Sequence, residues 1–162
     1  LFSHLEAGLI TDAVIAQSHK DAERFWKIRD GIGELLQVLG PVSNQDVSLS
    51  LTKLGLFATD LETRLKTKYT DMDVLMFGHI GDNNLHVVAY TGRAEDKPLI
   101  NTDIMRMIGE YAGAITAEHG VGVNKRDFLD QSRSPEEIAL MRTLKHAMDP
   151  KGILNPGRVI SE

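Results

Sequence analysis

The segment Gly78-His79-Ile80-Gly81-Asp82-Asn83-Asn84-Leu85-His86 stands between two apolar runs and decides how the middle of the chain folds. The apolar runs cover residues 73–77 and 87–90. Two β-rich runs joined by glycine, aspartate and asparagine are typical of a hairpin, whose turn we place at residues 81–84. On one continuous strand His79 and His86 would point to opposite faces. The turn therefore brings the two imidazoles towards each other.

Two imidazoles that face each other across a hairpin can share one metal ion. The alternative is a pair of structural histidines that brace a polar turn. Spacing alone leaves both interpretations open. The short polar residues between the histidines need no function, because aspartate and asparagine suit left-handed turn positions.

A second polar cluster, Glu118-His119-Gly120-Val121-Gly122, supplies a carboxylate and a third histidine. Glu118 would complete a site of two histidines and one carboxylate, which leaves room for a substrate oxygen. His119 would act as a general base. The alternative is an exposed helix end with solvated charges. We predict that the cluster meets the hairpin to form the chemical half of an active site.

The remaining patterns predict secondary structure on both sides of the hairpin. Before it we expect a strand at 11–17, a helix from the cap Ser18 to the stop at Gly40-Pro41, a strand at 46–51 and a helix at 52–69 capped by Thr52. From the hairpin onwards we expect strands at 73–79 and 85–91, a helix at 98–118, a short helical piece at 124–130, a helix from the cap Ser134 to Asp149 and a turn-rich tail. This order indicates an α+β class, a mostly antiparallel sheet with helices packed on one face.

Composition sets limits on the class of protein. The chain has 162 residues with 42% hydrophobic content, which suits a single domain over 1–162. It has no cysteine, which excludes disulfides and thiolate metal sites, and its net charge of −5 without a basic cluster argues against nucleic acid. No apolar run approaches a transmembrane segment. We expect a cytoplasmic protein, and since the chain begins at Leu1, a fragment of a longer one.

Cationic side chains are candidates for holding an acid. Arg29 follows Trp26 on the first predicted helix, and a guanidinium can hold a carboxylate through two parallel hydrogen bonds. The alternative is a surface arginine paired with Asp30 or Glu34. Lys125 and Arg126 would steer an anion or simply be solvated.

Three segments together resemble the C-terminal domain of FAD-linked oxidases, the group of D-lactate dehydrogenase, the glycolate oxidase flavin subunit and D-2-hydroxyglutarate dehydrogenase. They are the hairpin segment 78–86, the cluster 118–122 and Leu154-Asn155-Pro156-Gly157-Arg158. The resemblance runs from the helix containing Phe25-Trp26-Lys27-Ile28-Arg29-Asp30 to the tail. It implies that FAD is held mainly by a separate N-terminal domain, for which this chain has no segment.

The resemblance also implies roles for individual residues. His79, His86 and Glu118 match the family's divalent metal ligands, with zinc expected first and manganese or iron as alternatives. His119 matches the catalytic base, and Arg29 matches the arginine that binds the substrate carboxylate. Asn84 and Asn155 are the expected cofactor-binding residues, and Asn155 matches a residue that approaches the flavin ring.

Two positions depart from the family pattern. The family usually has glycine where Asn83 stands, and asparagine also tolerates the positive φ that such a turn needs. The 2-hydroxyglutarate enzymes carry a substrate-binding lysine at about the position of Asn44. This second departure argues against a dicarboxylate substrate and for another 2-hydroxy acid.

The resulting hypothesis is oxidation of a 2-hydroxy acid to a 2-keto acid by a flavoprotein. The partners would be the small acid and the FAD-binding domain of the same protein, with a homodimer as a further expectation from exposed apolar surface. The isolated chain should be inactive, since it brings no flavin. One rival is a non-catalytic module that binds a metal-chelated organic acid or a protein. The other is a metallohydrolase that uses the same three ligands to activate water.

Overall fold

The structure, a computed structural model, describes residues 1–161, and of Ile80 only the backbone. The chain divides into two compact units, Leu1–Gly40 and Pro41–Glu162. The single domain over 1–162 stays a prediction.

The first unit is helical. Its helices are α1 (Phe2–Glu6), α2 (His19–Asp30) and α3 (Ile32–Val38). The predicted cap of α2 is confirmed, because the Asp21 N–H donates to Ser18 Oγ over 3.1 Å. The single long helix is wrong. Gly31 separates α2 from α3, since glycine loses more backbone freedom in a helix than any other residue.

The predicted strand at residues 11–17 is also wrong, because these residues form neither helix nor strand. A strand needs a hydrogen-bonded neighbour, and the sheet of this protein takes its three strands from other segments. Val14 and Ile15 stand 76% and 50% exposed, so the apolar run that suggested a buried strand is not buried. A short apolar run without a partner strand therefore misled the prediction.

The second unit contains the sheet. Its strands are β1 (Ser43–Ser48), β2 (Asp73–His79) and β3 (Asn84–Tyr90), and its helices are α4 (Leu51–Lys68), α5 (Lys97–Glu110) and α6 (Pro135–Met148). The strands lie in the order β1-β3-β2, and both pairs are antiparallel. The predicted hairpin is β2 and β3. The α+β class is confirmed.

One face of this sheet forms the hydrophobic core with the helices. The buried sheet residues on that face are Val47, Leu85, Val87 and Ala89. Alternation along β3, and the pairing of Val47 with Leu85, place them on the same side. Helices α4 and α5 cover them with fully buried side chains such as Phe57 and Ile104. The opposite face carries His86 with its cross-strand neighbours Asp46 and Phe77.

The third predicted helix, 98–118, is too long at its C-terminal end. Helix α5 ends at Glu110, and Ala112 has a left-handed φ of 55°. The chain then forms a bridge with β1, in which Ala114 and Ser48 exchange backbone hydrogen bonds of 2.8 and 3.1 Å. A Cβ at Gly113 would lie 2.9 Å from the Ser48 carbonyl oxygen, so the close approach favours glycine. Pairing with the strand edge thus replaces the helix that the periodicity predicted.

The other predicted boundaries are close to the observed ones. Helix α4 begins after Ser50 instead of at a Thr52 cap, and the short helical piece is a 3₁₀ helix at Arg126–Gln131. The capping box of α6 is confirmed by reciprocal bonds between Ser134 and Glu137. Within the described residues, every helix is too short or too polar to cross a bilayer.

Candidate metal centre

The face of the sheet opposite the core carries a row of three side chains. His86 in the central strand pairs with Asp46 on one side and with Phe77 on the other. His79 is the last residue of β2 and pairs with Asn84, two positions before His86. The two histidines are therefore diagonal neighbours on one face, as the hairpin required.

The turn between the histidines has the expected chemistry. It is a 3₁₀ turn at Ile80–Asp82, followed by Asn83 in the left-handed region with a φ of 62°. The Asp82 carboxylate accepts the backbone N–H of Asn84 over 3.1 Å. Asparagine at position 83 thus preserves the turn that the family usually builds with glycine.

Glu118 meets both histidines. His79 Nδ1 lies 2.8 Å from Glu118 Oε1, and His86 Nε2 lies 3.9 Å from Glu118 Oε2. One potential ligand atom from each residue falls within 4.8 Å of the others. Around a tetrahedral zinc ion, neighbouring ligand atoms stand about 3.4 Å apart, as follows from bonds of about 2.1 Å. The donor set and its spacing therefore fit a divalent metal, while the role of these residues as ligands stays a prediction.

The environment of His86 favours its neutral form. Its side chain is 12% exposed, and its ring stacks on Phe77 with centroids 5.1 Å apart. Burial lowers the pKa of His86 below its ordinary value, although the negative charges of Asp46 and Glu118 act in the opposite direction. A neutral imidazole has a free lone pair for a metal.

Glu118 and His119 do not lie at a helix end. They belong to a loop whose backbone is bound to the carboxylate of Asp46, a buried residue of β1. The alternative of an exposed helix end with solvated charges therefore does not apply. The His119 side chain is 61% exposed, and its ring centroid lies 5.6 Å from that of His86. His119 is accessible beside the candidate ligands.

Asp46 accepts hydrogen bonds from the N–H groups of Ala117, Glu118 and His119 and from the Thr116 hydroxyl, at 2.9–3.1 Å to Oδ2. Burial by itself raises the pKa of Asp46, but these four donors together leave the pKa below its ordinary value. The residue is therefore a buried carboxylate anion. Its charge is held mainly by backbone donors.

Lys125 is buried rather than solvated. Its ammonium donates to the carbonyl oxygens of Asp46 and Ile115 over 2.7 and 2.8 Å and lies 3.9 Å from the Asp46 carboxylate. Burial lowers the pKa of Lys125, and the charge of Asp46 opposes that shift. The neighbouring Arg126 donates to the Gly157 carbonyl oxygen. Both cations therefore bond to backbone carbonyl oxygens, and the steering of an anion stays a prediction.

Two asparagines were predicted to contact the cofactor. The Asn84 side chain is 2% exposed, and neither its oxygen nor its nitrogen has a partner among the described residues. Asn155 lies in the tail in the left-handed region, with a φ of 45°. Both cofactor roles stay predictions.

Arg29 lies on α2 in the first unit. Its guanidinium bonds to Asp30 Oδ1 over 3.1 Å, which is one of the partners that the surface interpretation named. The two units are described separately, so the structure does not relate Arg29 to the metal centre. Its role in binding the substrate stays a prediction.

A cavity of about 650 Å³ opens beside His119 in the second unit. Its described lining includes Asn44, Lys97, Lys125 and Arg158 and contains no carboxylate. Lys97 and Arg158 form no ion pair within residues 1–161, whereas the charge of Lys125 is opposed by Asp46. In a chain with a net charge of −5, this cavity is a locally positive environment.

The site therefore consists of two histidines and one carboxylate at one end of a hairpin in an α+β fold. The family model for the C-terminal domain of FAD linked oxidases matches residues 1–159. The chain belongs to this family, and the resemblance noted from the sequence is confirmed.

Individual relatives agree with this assignment. The D-2-hydroxyglutarate dehydrogenase of Stutzerimonas stutzeri (strain A1501) is 37% identical over 99% of this chain and 36% of the relative. The mitochondrial D-2-hydroxyglutarate dehydrogenase of Arabidopsis thaliana is 41% identical over 99% of the chain and 28% of the relative. The mitochondrial protein of that name from Bos taurus is 36% identical over 96% and 29%. The chain spans about a third of the length of these curated relatives.

Sequence reasoning missed Asp46 and misjudged Lys125. The alternating pattern at 46–51 placed Asp46 on the polar side of a strand, and that pattern does not distinguish a solvated carboxylate from a buried one. The available signal was weak: an aspartate inside a strand, where this residue type is depleted. Lys125 gave no sequence signal that separates a buried lysine from a surface one.

Proposed function

We propose that this chain is the substrate- and metal-binding domain of an FAD-dependent oxidoreductase that oxidises a 2-hydroxy acid to a 2-keto acid. The observation that carries the proposal is the meeting of His79, His86 and Glu118 beside the exposed ring of His119. Family membership supports the link to FAD. Zinc is the metal we expect first, with manganese or iron as alternatives.

In this proposal the candidate site residues have separate roles. His79, His86 and Glu118 would hold the divalent ion, which when bound lowers the pKa of an oxygen it contacts. His119 would accept the hydroxyl proton, and Arg29 would hold the carboxylate of the acid. The flavin on the other domain would accept the hydride, the chemistry that this cofactor supplies. Asn84 and Asn155 would contact the cofactor, and the buried amide of Asn84, which has no hydrogen-bond partner among the described residues, supports that role for Asn84.

The substrate we expect first is 2-hydroxyglutarate. The relatives carry its name, and the cavity beside His119 presents Lys97 and Arg158, which would complement a second carboxylate. Asn44 in the same cavity wall is the feature that argued for a different acid. Lys97 and Arg158 favour a dicarboxylate in spite of Asn44, because they provide the positive charge that Asn44 lacks. The cytoplasmic location and the homodimer stay predictions.

The test is anaerobic reduction of the flavin in the full-length protein that contains this chain and its FAD-binding domain. A panel of D- and L-forms of lactate, glycerate, malate and 2-hydroxyglutarate, with glycolate, covers the class. Bleaching of the oxidised flavin band by at least one acid supports the proposal. The relative rates of reduction by the different acids then identify the side group that the substrate carries on its 2-hydroxy acid. Failure of every acid to reduce a flavin that dithionite reduces would contradict it and favour the binding module.

Arg29→Ala should raise KM for the acid by about 10–100-fold with a smaller change in kcat, since charged hydrogen bonds contribute about 1.5–3 kcal/mol. The measurement is steady-state turnover of the full-length protein. Arg24→Ala on the same helix is the matched control, because Arg24 pairs only loosely with Asp21 at 3.9 Å. An Arg29→Ala protein with unaltered KM would assign Arg29 to the surface.

A further inference from the structure

The carboxylate of Asp46 is bound by donors from a distant part of the chain. Three successive backbone N–H groups, those of residues 117–119, donate to its Oδ2 at 3.1, 3.0 and 2.9 Å. The Thr116 hydroxyl donates to the same oxygen at 3.1 Å. Asp46 itself is 2% exposed. One oxygen atom therefore fixes the backbone on both sides of Glu118.

Asp46 is also tied to the histidine side of the centre. It pairs directly with His86 across the two neighbouring strands, so its Cα position is set by the same sheet. Its backbone carbonyl accepts from Lys125, whose ammonium also donates to the Ile115 carbonyl at the start of the loop. The buried Asp46 thus connects the sheet that carries His86 to the loop that carries Glu118 and His119.

The loop has no regular structure of its own that would fix it. Helix α5 ends at Glu110, and the next regular element begins at Arg126. Between them, the bridge of Ala114 to Ser48 holds the chain before the loop, and the bonds to Asp46 hold the loop itself. Groups that do not bind the metal themselves but orient its ligands typically contribute about 10–100-fold to metal affinity.

We propose that Asp46 is a positioning residue of the centre: it holds the backbone of residues 116–119 so that Glu118 and His119 stand beside the two histidines. It is not one of the three candidate ligands. The inference rests on the proposed function for the metal ligands, and it adds a residue that the resemblance does not assign. The negative charge of Asp46 matters because three N–H groups converge on it.

The test is Asp46→Asn in this chain, measured by zinc titration and by hydrogen exchange. Asparagine keeps the volume of aspartate but lacks its negative charge. It also replaces one of the two acceptor oxygens by an NH₂ group, which cannot accept a hydrogen bond. We expect zinc affinity to fall about 10–100-fold. The amides of residues 117–119 should exchange at least about tenfold faster, whereas the core amides of Val87 and Ile104 should keep their protection.

Asp149→Asn is the matched control. Asp149 is also buried, accepts from the N–H groups of Ile153 and Leu154 at 3.1 and 2.8 Å and pairs with Lys145. Its replacement removes the same kind of interaction from the end of α6, where no candidate ligand lies. The Asp149→Asn chain should bind zinc like the wild type. A purely structural effect of losing a buried aspartate would lower zinc affinity in both variants.

Three results of the zinc titrations overturn the proposal. The first is an Asp46→Asn chain that binds zinc within twofold of the wild type. The second is equal loss of affinity in the Asp149→Asn control. If Asp46→Asn does not fold, Thr116→Val removes one donor and should weaken zinc binding about twofold to tenfold, the equivalent of one hydrogen bond. An unchanged Thr116→Val chain is then the third overturning outcome.

The proposed function and this inference fail in different ways. Absence of zinc binding in both the wild-type chain and the full-length protein removes the metal ligands from the account. The role of Asp46 is then judged by hydrogen exchange alone. Retained protection of residues 117–119 in the Asp46→Asn chain overturns the inference, and its loss with an intact core supports it.

Discussion

Replacing His119 by alanine is expected to slow reduction of the flavin by a 2-hydroxy acid about 10²–10⁴-fold in the full-length protein, the usual contribution of a general base. The ring of His119 is 61% exposed and stands next to that of His86, so it is accessible to a bound acid. Its backbone N–H donates to Asp46 Oδ2 over 2.9 Å, whereas the side-chain Nδ1 comes only within 3.9 Å of that oxygen. The variant should therefore keep its fold.

The measurement is the rate of flavin reduction in a stopped-flow instrument at saturating acid. Zinc affinity should stay within a few-fold of the wild type, because His119 is not among the three proposed ligands. His146→Ala is the control, since His146 lies on α6 outside the candidate centre. An unchanged rate in the His119→Ala protein would remove His119 from the mechanism.

Replacing Gly78 by alanine is expected to destabilise the hairpin strongly. A Cβ at this position would lie 2.2 Å from the Asn84 carbonyl oxygen and 3.1 Å from the Cα of Leu85. Both are backbone atoms of the partner strand, so neither can turn away as a flexible side chain would. The strands must separate locally. We expect a loss in the free energy of unfolding of about 3 kcal/mol or more, at the upper end for overpacked sites.

Urea unfolding of the chain measures this loss, and zinc titration reports whether the histidines still meet. Gly81→Ala is the matched control in the same hairpin, because nothing lies within 4 Å of its added Cβ. That control should remain within about 0.5 kcal/mol of the wild type. A Gly78→Ala chain with wild-type stability would contradict the close packing of the two strands.

The sequence was most informative where local chemistry determines the structure. The hairpin was predictable because glycine, aspartate and asparagine at 81–84 have strong turn preferences, and the cap at Ser134 because its pattern is local. The meeting of His79 with His86 followed from the hairpin. The α+β class followed from the order of the elements.

The rest depends on contacts between distant segments. Helix α5 ends eight residues early because Ala114 bonds to Ser48, a strand edge that periodicity within residues 98–118 does not register. The buried state of Asp46 depends on donors about 70 positions later. The types of the residues predicted that Glu118 approaches the histidines. The observed position of Glu118 depends on hydrogen bonds between its backbone and the distant carboxylate of Asp46.

The measurement that most directly tests the central claim is zinc titration of this chain beside its His79→Ala and Glu118→Ala variants, by calorimetry, with His146→Ala as control. The same titration is run on the full-length protein. We predict about one ion per wild-type and control chain, because the three candidate ligands form a single site. Affinity should fall more than about 100-fold in both ligand variants, beyond the cost of losing an outer partner. Absence of zinc binding in both proteins, or binding that the two variants leave unchanged, would contradict the metal centre.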